Sequence, residues 1–480
     1  MRKDTNYFSE IGNFFKGNDA TSAMNAVNDV ISSLKMTEKR LFEEKSKRNC
    51  KFTQLQILQL LLLFPCFMIK NAFNYSASSL YQIAECGKDV FYRFLSKENH
   101  DWRKILMVIT SQLWRKAQSS SERDIKNPVC LMVDDTDYPK QGMHAEMIGK
   151  VFSHVEHKMI LGFKGLFLGI TDGVTQMLLD FCLVGEKGKN GTYNLKQKQL
   201  DARFSKQRDA DSHTATRIKE YDTSKITLMI EMIKRVIAKK IHFDYILADS
   251  WFACAEVIKF VTSRHIKCHY LGMIKMGNTK YRYNNKEYTA KALISLFDHP
   301  KKGRKHSRRL GCHYITVDVV FAGRKVRLFF TKRNRHADWN ALITTNTKLE
   351  FLEAYRIYSM RWSLEVVFKD SKGNLGLGKY QMRNFASQIA CTAITAMQYN
   401  LLATAKRFAS YETIGGLFRE VTKNAVEITI TERIWGVITE IVNTIALCFE
   451  IEDELIIETL IHRSDKLKKF MQIYELKMAI

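Results

Sequence analysis

The sequence predicts an α/β protein with helical N-terminal and C-terminal regions, and three observations carry that expectation. Two short apolar runs, residues 129–133 and 245–248, each end in acid, at Asp134-Asp135 and at Asp249. A helical pattern over residues 223–240 lies between them. Residues 277–347 then carry β-like runs where strand and helix no longer alternate. Short, wholly apolar runs are what strands buried on both faces look like, as in a parallel sheet.

Residues 1–118 read as helical throughout. Apolar residues recur at helical spacing over 20–48, and 52–64 reads as a buried helix. Residues 78–84 lead through Cys86-Gly87-Lys88 into 90–95. Two short helices about a glycine-containing turn are the outline of a helix-turn-helix, which any compact helical hairpin shares. A polar linker with Ser119, Ser120 and Ser121 follows at 118–127. After the first acid-ended strand, strands are expected at 158–170 and 177–184 about a turn at Asp172-Gly173. Residues 186–219 are polar and basic without an apolar period and read as a long exposed loop. A helix at 255–263 and a strand at 269–274 succeed the second acid-ended strand. The region 277–347 shows β-like runs at 314–321 and 326–331. Beside them lie basic patches, Lys301-Lys302-Gly303-Arg304-Lys305 with Arg308 and Arg309, and Lys332-Arg333-Asn334-Arg335. From residue 350 onward the pattern is helical again. The expected division is 1–118, 128–276, 277–347, 348–410 and 411–480. In the last region, Ile456, Ile457, Leu460 and Ile461 beside the acidic run 450–454 read as core or as a dimer seam.

Composition narrows the function classes. The 480 residues are 46% hydrophobic and 26% charged with 4 Pro, a folded chain and not a disordered one. Lys and Arg number 75 against 50 Asp and Glu, a formal charge of +25. That surplus draws polyanions, nucleic acid first and an anionic membrane surface second. The ten cysteines are scattered from Cys50 to Cys448 without a C-x-x-C pair, which argues against a zinc site and for a reduced, intracellular protein. Met1-Arg2-Lys3-Asp4 has no signal-peptide core, and the apolar run 58–69, interrupted by Pro65, is too short to span a bilayer. A cytoplasmic location without membrane is therefore expected.

The acids carry the chemistry. Functional groups of α/β sheets gather at the C-terminal ends of strands, where Asp135 (or its neighbour Asp134) and Asp249 stand. Glu365 on a downstream helix is the candidate third ligand for two hard divalent cations. Around it, Tyr358, Arg361, Glu365 and Lys372 are spaced Y-x2-R-x3-E-x6-K. On one continuous helix at roughly 100° per residue these four share one narrow face, a polar stripe opening into a cleft. Arg361 and Lys372 would then contact phosphates, with Tyr358 beside them. An ordinary i,i+4 ion pair between Arg361 and Glu365 is the alternative.

The stripe resembles the YREK signature of the insertion-sequence-four family of bacterial DDE transposases, which are transposon-five-like. Val133-Asp134-Asp135-Thr136 resembles that family's first aspartate motif and Ala248-Asp249-Ser250-Trp251-Phe252 its second. The resemblance covers residues 128–385. It implies a ribonuclease-H-like catalytic core interrupted by a β-rich insertion, with Asp135, Asp249 and Glu365 holding two Mg²⁺ or Mn²⁺ ions. The motif match favours Asp135, although strand alternation puts Asp134 on the opposite face. The resemblance further implies double-stranded DNA substrates, namely terminal inverted repeats and target DNA. It implies a homodimer on DNA in the bacterial nucleoid and cleavage through a hairpin. A base flipped near the hairpin would stack on tryptophan, with Trp339 and Trp362 as the candidates. The alternatives are a nuclease with the same core that does not rejoin ends, and a non-catalytic DNA-binding protein derived from a transposase.

Overall fold

The computed structural model describes residues 23–423 except 48, 79, 120–126, 335 and 410, together with 6–8, 441, 442, 444, 463 and 464. Most of the expected C-terminal region 411–480 beyond residue 423, its apolar residues 456–461 included, lies outside the described residues, as does Arg335. The chain divides into two compact units. One comprises residues 1–120, 373–377 and 386–480, and the other 121–372 and 378–385.

The first unit is helical. Its described helices include α1 (Ala23–Ser32), α2 (Glu38–Leu41), α3 (Gln54–Leu63), α4 (Leu80–Ile83), α5 (Lys88–Leu95) and α6 (Trp102–Gln118). Thr53 starts α3 with a capping box: its side chain accepts the Gln56 N–H while the Gln56 side chain reaches back to the Thr53 N–H. Tyr75 anchors the short hairpin of α4 and α5 by donating its hydroxyl to the carbonyls of Leu80 (3.1 Å) and Ala84 (2.8 Å). Its ring packs edge-on against Phe91 of α5. Within this unit the last long helix supplies buried polar ties. Gln398 donates to the Leu61 carbonyl and Asn400 to the Thr110 hydroxyl, each at 2.8 Å. Such bonds satisfy buried amides that would otherwise cost stability. Among the described residues no helix is long and apolar enough to cross a membrane.

The second unit is built on one twelve-stranded sheet. Strands β1 (Cys130–Pro139) and β4 (Gln176–Val184) both run antiparallel to β3 (Lys158–Thr171), with β2 (Gly149–Ser153) also antiparallel on β3. Between β4 and the next strand come α7 (Gln197–Asp201), α8 (His213–Tyr221) and α9 (Lys225–Ala238). Strand β5 (Tyr245–Ala248) then pairs parallel with β1, and after α10 (Ala255–Val261) strand β6 (His269–Met273) pairs parallel with β5. The order β4-β3-β1-β5-β6, three antiparallel strands followed by two parallel ones, is that of a ribonuclease-H-like core.

The stretch after β6 extends the same sheet. It holds β7 (Lys280–Tyr283), β8 (Lys286–Thr289), α11 (Ala290–Phe297), β9 (Lys305–Ser307), β10 (Cys312–Phe321), β11 (Arg324–Lys332) and β12 (Asn340–Thr344). Strand β12 pairs antiparallel with β6, so the insertion is hydrogen-bonded to the core edge. Helix α11 was not expected in this region; Thr289 caps it, its side chain accepting the Ala292 N–H. The chain then returns to the core through α12 (Phe351–Ser359) and α13 (Trp362–Asn374). The next helix, α14 (Phe385–Arg407), groups with the first unit from residue 386.

One expectation needs correction. The segment 186–219 is not a bare exposed loop, because α7 and most of α8 fall within it. Helix α8 buries Thr214, Ala215, Arg217 and Tyr221, and the Arg217 guanidinium lies 4.5 Å from the centre of the Phe181 ring. Its packing face is made of small polar residues, an arginine stem and a tyrosine, so no apolar period announces it.

Candidate active site

Strand β1 enters the site buried through Val133 and emerges as Asp134-Asp135-Thr136-Asp137, all half-buried. The pleat sends Asp134 and Asp135 to opposite faces. On the Asp134 face, α13 packs through Leu364 and Phe368, with the Phe368 ring 5.4 Å from Phe167 of β3, the register partner of Asp134. Leu364 also lies over Gly169 and Met132, where an added Cβ on Gly169 would meet both at 3.3 Å. That close packing fixes the start of α13 above Asp134.

The buried Arg361 guanidinium joins the acids there. It donates to Asp134 Oδ2 at 2.7 Å and to Glu365 Oε1 at 2.8 Å. The second Asp134 oxygen accepts the Asp135 N–H at 2.9 Å. Burial pushes the Asp134 carboxyl up to about 6; Arg361 opposes that rise, and the charges of Asp135 and Asp249 add to it. Asp249 follows the fully buried β5 and turns the chain, its carboxylate accepting the Trp251 N–H at 3.0 Å. Beside it, Gly272 on β6 leaves room for the buried Tyr270 ring, which an added Cβ would strike. Burial, with the nearby Asp249 charge, holds the Tyr270 phenol well above its ordinary range.

On the opposite face, Asp135 pairs with Lys225, the first residue of α9. A lysine at the positive end of a helix is unfavourable by about 0.3–1 kcal/mol, and the Asp135 pairing offsets this. Asp137 pairs with the buried Lys164, and although burial opposes it, the hydrogen bonds from Lys164 and Ser153 hold its carboxyl below the usual range.

The single-helix stripe is corrected by the structure. Helices α12 and α13 are separate, joined by tight i→i−3 hydrogen bonds from Met360 to Ile357 (3.1 Å) and from Arg361 to Tyr358 (3.0 Å). Tyr358 thus ends one helix, while Glu365 and Lys372 belong to the next. The buried Tyr358 ring still lies 5.9 Å from the Arg361 guanidinium, whose carboxylate partners occupy the donors expected for phosphate. Lys372, half-buried, has its ammonium pKa lowered by burial and neighbours Asp137 and Lys164 rather than Glu365. Trp362 is 60% exposed, with Arg361 at 5.8 Å from its ring. Trp339 is half-buried under Lys332 at 5.6 Å. Sequence reasoning missed Lys225, which carries no local signal, and Trp251, which stood inside the quoted second motif.

A family model described as DDE superfamily endonuclease matches residues 77–292, and one described as transposase DDE domain matches residues 209–401. Each match covers less than half of the chain, and the matched segments are similar to DDE endonuclease and transposase domains. The class of the chain is that of the DNA-cleaving transposase enzymes, and catalysis in that class depends on divalent metal. No curated protein matches the sequence. Among solved structures, the cryo-EM synaptic complex of piggyBac transposase with hairpin DNA is similar over 90% of this chain and 82% of its own, at 11% identity and a TM-score of 0.43. At that level the likeness assigns no residue.

Proposed function

We propose that the chain cuts DNA at the ends of an insertion sequence and joins those ends to target DNA, using Asp134, Asp249 and Glu365 as its acid set. The observation that carries this reading is the Arg361 bridge, which ties a β1 acid to Glu365 where Asp249 also contributes charge. The resemblance to the insertion-sequence-four family supports the finer points: a hairpin intermediate, terminal inverted repeats and a homodimer on DNA. The net charge of +25 supports DNA as the partner.

Asp134, Asp249 and Glu365 match a divalent metal in donor chemistry, although among the described residues their oxygens are not gathered within 4.8 Å of one another. They offer only carboxylate oxygens, the donors that Mg²⁺ and Mn²⁺ prefer. Three carboxylates stand against the one guanidinium of Arg361, which pairs with two of them. Two such ions, when bound, supply an activated attacking oxygen and a stabilised leaving oxygen. Arg361 holds Asp134 and Glu365 within reach of one another. The Trp251 N–H fixes the orientation of Asp249. Asp135, in this reading, secures α9 to β1 through Lys225.

The test is cleavage and strand transfer on labelled DNA carrying the inverted repeats that flank the reading frame, with Mg²⁺ or Mn²⁺. Wild-type protein is expected to release the ends and join them to a target plasmid, and Glu365→Gln to do neither. Cleavage without joining reduces the activity to that of a nuclease. If wild-type protein and the variant behave alike, the catalytic reading is lost.

A further inference from the structure

The imidazoles of His306 and His313 meet across β9 and β10. The two residues are register partners in the antiparallel ladder, and their ring centres lie 5.0 Å apart with the planes tilted by 59°. His306 is exposed and His313 half-buried, so the pair stands where solvent reaches it. Among the described residues neither ring hydrogen-bonds to a side chain or to the backbone. Other histidines have such partners: His242 meets Asp244 at 3.2 Å, and His299 accepts the Lys301 N–H. Imidazole nitrogen is the commonest side-chain ligand for Zn²⁺ and similar ions. Two imidazoles sharing one such ion at about 2.1 Å, at right to tetrahedral angles, hold their ring centres about 4.5–5.3 Å apart. The observed spacing falls within that range.

The strands that the pair joins need a tie. Strand β9 is three residues long and is bonded to β10 alone, through three register pairs. A ribbon that short is weakly held by its own ladder. Between the two strands the loop 308–311 carries the exposed Arg308 and Arg309.

We propose that His306 and His313 bind one borderline divalent ion, Zn²⁺ or a close relative such as Ni²⁺, which staples β9 to β10 and steadies the tip bearing Arg308 and Arg309. Water fills the other positions of the ion. The staple differs in chemistry from the acid set: nitrogen donors suit Zn²⁺, whereas carboxylate oxygens suit Mg²⁺. It uses no thiolate, and Cys312, next to His313 on β10, belongs to the other face of that strand. The cation in register with His313, Lys332 of β11, lies over Trp339, 5.6 Å from its ring centre. The staple stands whether or not the acids cut DNA.

The experiment measures Zn²⁺ binding to full-length protein by equilibrium dialysis with Mg²⁺ in excess. His306→Gln, His313→Gln and the double variant are each expected to lose the same single ion relative to wild type, because the two imidazoles act as one unit. His306→Cys supplies another zinc ligand and is expected to keep the ion. Trypsin cleavage after Arg308 and Arg309, taken relative to other sites in the same digest, is the second readout. Zn²⁺ at about ten times its dissociation constant is expected to slow that cleavage about tenfold in wild type and not at all in the glutamine variants. Equal Zn²⁺ binding in wild type and both single variants overturns the site, and loss in only one of them overturns the shared ion. Loss of the ion in both, with cleavage at the tip indifferent to Zn²⁺ in wild type, overturns the staple.

Discussion

The two halves of the twelve-stranded sheet are built differently. In the core half, β5 is buried along its whole length between β1 and β6, and the residue that follows it is Asp249, one of the proposed acid set. In the inserted half, β10 alternates: Ile315, Val317 and Val319 are buried while Thr316 and Asp318 are exposed. Asp318 meets Arg327 of β11 there in a bidentate pair at 2.7 and 2.9 Å. Strands covered on both faces have nowhere to put charge except their ends, so acids gather at one edge. Strands covered on one face distribute charge over the other. The core half thus concentrates chemistry, and the inserted half spreads a surface.

That contrast predicts where substitutions act. The largest effects belong to the acid edge. Asp249→Asn or Glu365→Gln is expected to lower DNA cleavage by about 10²–10³-fold or more while DNA binding stays within about twofold, measured by nicking and by mobility shift. Asp134→Asn is expected to match them and to abolish the rise in Tm that Mn²⁺ gives the wild-type protein. Asp135→Asn is expected to keep that rise, losing about 1 kcal/mol of stability as Lys225 is left unpaired. A metal response lost in Asp135→Asn and kept in Asp134→Asn would exchange the two roles. Next comes the packing that seats α13: Phe368→Ala is expected to cost about 3–5 kcal/mol in denaturant unfolding, and a cost below about 1 kcal/mol would show that α13 is not held by that contact. The smallest effects belong to the insertion. Replacing the exposed Arg308 and Arg309 by Ala is expected to lower the salt slope of DNA binding by about two, with the rate of the bound complex unchanged. A fall in that rate would draw the insertion into the chemistry.

The same contrast explains what the sequence shows. The acid-ended strands are legible because β1 and β5 are short apolar runs with nothing polar until the acid. Strands β7, β8, β9 and β12 are three to five residues long with mixed composition, too short for a period to register. The break between α12 and α13 falls at Met360-Arg361, with neither Pro nor Gly to mark it. What accompanies it is tertiary: Arg361 is drawn to Asp134, which lies 227 residues away in the chain. The choice between Asp134 and Asp135 is hidden for a related reason. Alternation puts them on opposite faces, but only the packing of Leu364 and Phe368 says which face α13 covers. The motif match favoured Asp135; the geometry joins Asp134 to Glu365.

The pairing of β12 with β6, from Leu342 against Met273 to Thr344 against Leu271, has a consequence for engineering and for evolution. Strand β6 ends the order of the core strands, and alone it would present an open row of amide and carbonyl groups. Such an edge recruits strands from other molecules. The insertion occupies it, so a core trimmed of residues 277–347 to make a smaller nuclease would be expected to precipitate through β6 before its activity was ever measured. Shortening this enzyme safely means keeping β12 as a lid on that edge and removing strands from the far side, beginning with β7 and β8.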